Sequence, residues 1–128
     1  MRARSAHFTF DKKVKYKDLE KAFKELFNTF LEETGQMPHE EPEYSEILLE
    51  ENLRDLRKNR KPEGYNRDGS MRLMFPIAER VEFYIYSRAK SAEVPRVAET
   101  LSKILQKAGL KHQLDWDKML LFAESKPG

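Results

Sequence analysis

Two long helical periodicities, set between short runs of alternating residues, predict an α+β domain in which a sheet packs against two main helices. Tyr16, Leu19, Phe23, Leu26, Phe27, Phe30 and Leu31 recur at helical spacing, as do Val94, Val97, Ala98, Leu101, Ile104, Leu105 and Ala108. Elsewhere the period falls to two: Ala6, Phe8 and Phe10 share one face of a strand, and Val81, Phe83 and Ile85 share one face of another. At 128 residues the chain has room for one domain, over 1–124, with 125–128 as a mobile tail. A chain of this length buries roughly two-thirds of its unfolded surface and folds without a disulfide or structural metal.

Taken in order, residues 4–10 predict the first strand and Asp11-Lys12-Lys13 a polar break. A helix follows over 16–33, with Thr34-Gly35 as its stop. Residues 36–45 hold Pro38 and Pro42 among glutamates and predict an exposed connection. Ser45 is then placed to cap a second, weakly anchored helix with a narrow stripe of Leu49, Leu53 and Leu56. Lys58 to Ser70 contains Pro62, Gly64 and Gly69 and predicts a loop. Met71–Phe75 and Val81–Arg88 predict strands, interrupted at Pro76. Ser91 caps the second strong helix and Gly109 closes it. Lys111–Trp116 and Met119–Ala123 then predict two strands, or one bent strand. Strands in hairpins around two strong helices predict a ferredoxin-like two-layer sandwich. Its weak helix and basic loop form an insertion between the first helix and the second strand.

Charge is segregated along the chain. Glu25 to Leu53 carries nine glutamates and no lysine or arginine, whereas Arg54 to Arg72 carries seven basic side chains against Asp55, Glu63 and Asp68. The first 24 residues are also basic, so a net charge of only +2 conceals oppositely signed surfaces, which bear on partners rather than on fold.

Several function classes drop out. With no cysteine, disulfide scaffolds, thiolate metal centres and thiol nucleophiles are excluded. Glycine-rich nucleotide cradles, a nucleophile elbow and the HExxH zinc motif are all missing. The N-terminus has no apolar stretch of seven residues and nowhere do eighteen apolar residues run together, which predicts a cytoplasmic protein with no membrane partner. No catalytic, cofactor-binding or metal-binding residue is assigned.

Four groups remain as candidates, each weighed against a plainer role. The polar face of the strand at 81–88 carries Tyr84, Tyr86 and Arg88, which suit an interaction surface, and burial against a second subunit or ordinary exposure serves the residues equally well. The basic segment offers Arg57, Lys58, Arg60, Lys61 and Arg67 for phosphates and Tyr65 for stacking on a base. Its plainer role is a solvated loop that neutralises neighbouring glutamates. His7, His39 and His112 have no partner at metal spacing, although His7 and His112 fall on first and last strands that often pair in this architecture. Asp115 and Asp117 share a strand face, as an acid/base pair requires, yet such residues more often cap turns. The expectation is a non-catalytic interaction module, probing a protein partner and foremost a second copy of itself as a homodimer. The alternative is a small single-stranded nucleic-acid binder using 54–72, and an enzyme ranks third.

Overall fold

The computed structural model describes residues 1–118. The elements run β1 (Ala3–Phe10), a 3-10 turn (Tyr16–Leu19), α1 (Glu20–Glu33), α2 (Pro42–Arg57), β2 (Gly64–Tyr65), β3 (Arg72–Met74), β4 (Glu82–Ser91), α3 (Glu93–Lys107) and β5 (His112–Trp116). The predicted strand over 119–123 and the tail 125–128 lie outside the described residues.

The five strands form one antiparallel sheet in the order β2-β3-β4-β1-β5. The period of two in β1 and β4 has its expected consequence. Phe8 faces Phe83 across the β1–β4 pair, their rings stacked with centroids 4.4 Å apart, and Ala6 faces Ile85. These side chains are buried beneath α1 and α3, whose apolar stripes place Phe23, Phe27, Phe30, Val97, Leu101 and Leu105 in the same core. Each such side chain contributes about 1.5–3 kcal/mol by leaving water. Phe10 donates its amide to Val81 O at 3.1 Å, which lays the connection after β1 beside the one before β4.

Several local expectations need correction. The second helix starts at Pro42 rather than Ser45, because a first-turn proline gives up an amide that has no intrahelical acceptor anyway. Ser45 instead donates its hydroxyl to Pro42 O at 3.0 Å, inside the first turn. Nor is α2 weakly anchored: beyond Leu49, Leu53 and Leu56, Leu48 and the amide side chain of Asn52 widen its buried face. Finally, 58–70 is not wholly loop. Gly64 and Tyr65 pair with Met74 and Leu73 as a short edge strand. Asn52 fastens that strand to the helix, accepting from Gly64 N at 2.7 Å and donating to Gly64 O at 3.1 Å.

The 16–33 helix opens as a 3-10 turn before becoming α-helical at Glu20. Asp18 accepts the amide of Lys15 at 2.8 Å, which satisfies a donor that the turn leaves unpaired. At α3 the N-cap is Ala92 rather than the expected Ser91, which stands one residue earlier and accepts the amide of Glu93 at 3.0 Å. No helix among the described residues is long and apolar enough to cross a membrane.

Candidate interaction face of the sheet

With the helices on one side, strand alternation sends the remaining side chains of β1, β4, β3 and β5 to the other. Register sets them in rows. Asp115, His7, Tyr84 and Met74 lie across four strands, Ser5, Tyr86 and Arg72 across three, and Gln113, Thr9 and Glu82 form a third row. The central row is a contact as well as a register. The His7 ring stacks on Tyr84 at 5.2 Å with 27° between planes, and His7 Nε2 lies 2.8 Å from Ser5 Oγ.

Burial holds the His7 imidazole well below its ordinary value, at about 4, with the nearby Lys118 ammonium acting in the same direction and Asp115 and Asp117 opposing it. The ring is therefore neutral at neutral pH. One nitrogen carries a proton and the other accepts, so the Ser5 hydroxyl can accept from or donate to Nε2 in either tautomer. Burial raises the Tyr84 phenol, and the adjacent Tyr86 adds to the effect. Both tyrosines are half-buried. Charge on this face is mixed: Arg72 and Arg88 both reach Asp68, and Glu82 and Asp115 sit farther along.

Tyr84 and Tyr86 thus share the face expected of them. Arg88 is exposed in an irregular stretch where β4 carries extra residues against β1, between the Ser5–Tyr86 and Ala3–Ser91 pairs. Sequence reading missed Ser5, His7, Arg72 and Met74 as companions of the tyrosines. The signal for His7 and Ser5 was present in the alternation of β1, but only register reveals that His7 stands opposite Tyr84.

The basic segment is not brought together as one site. Arg57 bonds Glu20 at 2.7 Å and lies 3.7 Å from Glu50, Arg60 pairs with Asp55 at 3.2 Å, and Arg67 reaches Glu63 and the Tyr44 hydroxyl at 2.9 and 2.8 Å. Lys61 donates to Phe75 O at 3.1 Å, and Lys58 is exposed. Tyr65 must be reassigned. It is buried, its ring edge-on to Phe27 and Phe30 with centroids 6.2 and 6.1 Å away, so it serves the core and is closed to a base.

The remaining candidates separate. β1 and β5 do pair, but His7 stands opposite Asp115 and His112 opposite Phe10, an odd number of residues apart, so the two imidazoles project from opposite faces. His112 bridges Leu110 O at 2.9 Å and Ser102 Oγ at 2.6 Å, linking β5 to α3. His39 is exposed before α2. Among the described residues no group of three His, Asp or Glu side chains is placed to hold a metal ion. Asp117 has φ 54° and accepts the amides of Arg4 and Ser5 at 2.8 and 3.2 Å, which closes the end of the β1–β5 pair. Asp115 meets Lys118 at 3.3 Å, so the two carboxylates serve different partners. No family model, curated protein or solved structure matches the chain.

Proposed function

We propose that the chain is a non-catalytic interaction module that forms a homodimer through the outer face of its sheet. The observation that carries this is the His7–Tyr84 stack with Tyr86 and Met74 beside it, an aromatic and thioether patch on the central strands with no described helix over it. Tyr and Met are enriched at protein interfaces, where an apolar body and a polar tip suit a surface that is wet in one state and buried in the other. A neutral His7 favours the same use, because burying an unpaired charge opposes association. We take the core to be ferredoxin-like, with α2 and β2 inserted. The antiparallel order β3-β4-β1-β5 of the strands that flank α1 and α3 supports this. A cytoplasmic location accords with the cysteine-free composition.

Sedimentation tests the proposal. Tyr84→Glu places a charge in the middle of the patch and is expected to convert a dimer to monomer, whereas moderate salt leaves the wild-type dimer intact because its contact is mainly apolar. A wild-type monomer at every protein and salt concentration rules the homodimer out. The alternative of single-stranded nucleic acid on 54–72 has less behind it, since most of that segment's cations neutralise carboxylates of the same chain.

A further inference from the structure

Several cations that do not find carboxylates gather at one end of the fold. Lys12, Lys13, Lys15 and Lys17 occupy the connection between β1 and α1, and all four are exposed. The Phe10–Val81 hydrogen bond brings Arg80 alongside this connection, and Lys17 N donates to Asn59 Oδ1 at 3.2 Å, which brings the end of α2 and its Lys58 to the same pole. Between these segments lies an open cleft of about 260 Å³, lined by Lys12, Lys15, Tyr16, Asn59, Glu79 and Arg80.

Among the described residues none of Lys12, Lys13, Lys15, Lys17, Lys58 and Arg80 stands within 4.0 Å of a carboxylate oxygen, while seven other cations of the fold do. The acids closest in sequence are occupied by backbone: Asp11 accepts Lys13 N at 2.9 Å and Asp18 accepts Lys15 N. Glu79 is the one carboxylate lining the cleft. This concentration of unpaired cations comes from three separated stretches, and folding holds them together despite their mutual repulsion.

We propose that this pole binds the phosphodiester backbone of nucleic acid without reading its sequence. Phosphates at regular spacing match several separate cations better than one small anion does, and their counterions are released on binding. Base readout is not built in: the one aromatic ring lining the cleft, Tyr16, is partly buried and meets Phe75 edge-on. A second copy's acidic α2 has the right charge too. Such a contact can close as a two-fold pair or a ring, or run on as open-ended chains, and competition by polyglutamate in the test below registers it. The two surfaces are independent.

The test is fluorescence anisotropy of labelled oligothymidylate, oligouridylate and a DNA duplex across a salt series. One variant carries Lys12→Glu, Lys15→Glu and Arg80→Glu. A control carries Lys103→Glu, Lys107→Glu and Lys111→Glu, three exposed lysines on and after α3 with the same change in net charge. Wild type and the control are expected to bind with affinity that falls steeply with salt. The cleft variant loses about 100-fold at low salt, since micromolar non-specific binding is shared among roughly six to ten contacts, and its log–log salt slope on a single strand flattens by about two. Unchanged circular dichroism and sedimentation show that fold and dimer survive. No binding by wild type at low salt, equal losses in both variants, or equally good competition by polyglutamate would each overturn the proposal.

Discussion

His7 shows how one residue's chemistry depends on what the fold places around it. Its imidazole titrates at about 4 rather than 6.5 because the sheet face buries it, with Lys118 adding to the effect. A base with a depressed folded value takes its proton earlier in the unfolded chain, so acid favours unfolding. Above pH 6.5 both states are neutral and His7 contributes no slope; as pH falls from 6.5 towards 4, stability declines. A His7→Gln variant is expected to lose stability less steeply over that window than wild type, measured by urea titrations at several pH values. Parallel slopes would show that the ring is solvated. Gly64 is constrained differently. Its φ is +81° and an added Cβ would lie 2.2 Å from Leu73 O, so no side chain fits without moving the β2–β3 pair. Gly64→Ala is expected to cost about 1–3 kcal/mol from backbone strain, with the clash adding to it, as read by urea denaturation.

At the scale of elements, α2 and β2 behave as one unit. Neither has enough apolar surface to stand alone, and a two-residue strand is marginal without support. Asn52 joins them by exchanging two hydrogen bonds with Gly64 and spending a third on Leu48 O. Asn52→Ala strands a buried donor and a buried acceptor, each worth about 1–3 kcal/mol when unpaired. We expect the loss to be local. Limited proteolysis of wild type should cut first within 36–41, between α1 and α2, while the variant should gain an early cut within 58–63. An unchanged digestion pattern would mean that Tyr65, seated between Phe27 and Phe30, anchors β2 by itself.

The whole molecule is electrically polarised along α2, whose first half is acidic and whose last turn holds Arg54 and Arg57. That order suits the helix dipole. Tertiary pairing then neutralises much of the basic end, since Arg57 reaches Glu20 across to α1 and Arg60 turns back to Asp55. Exposed ion pairs of this kind contribute about 0–1 kcal/mol each. Reversing Arg57 and Arg60 to glutamate is therefore expected to leave the sedimenting mass unchanged and to lower stability only slightly. Dissociation by this double reversal, and by salt in wild type, would move the interface from the sheet face to the charged surface.

The sequence by itself determined the elements with strong periodicity. The stripes from Tyr16 to Leu31 and Val94 to Ala108 became helices, and Phe8, Phe10, Phe83 and Ile85 became the core face of the sheet, because burial rewards one periodicity at a time. It also placed Tyr84 and Tyr86 on a common outward face. It did not disclose β2, because two residues carry no period and Gly64 reads as a turn until Asn52 and Leu73 are seen around it. Nor did it disclose the companions of the tyrosines or the basic pole. Strand register put His7 against Tyr84, and a ladder bond at Phe10 put Arg80 beside Lys12 and Lys15. Both arise from contacts between residues some seventy positions apart, where chain order says nothing and only packing and hydrogen-bond satisfaction choose the neighbour.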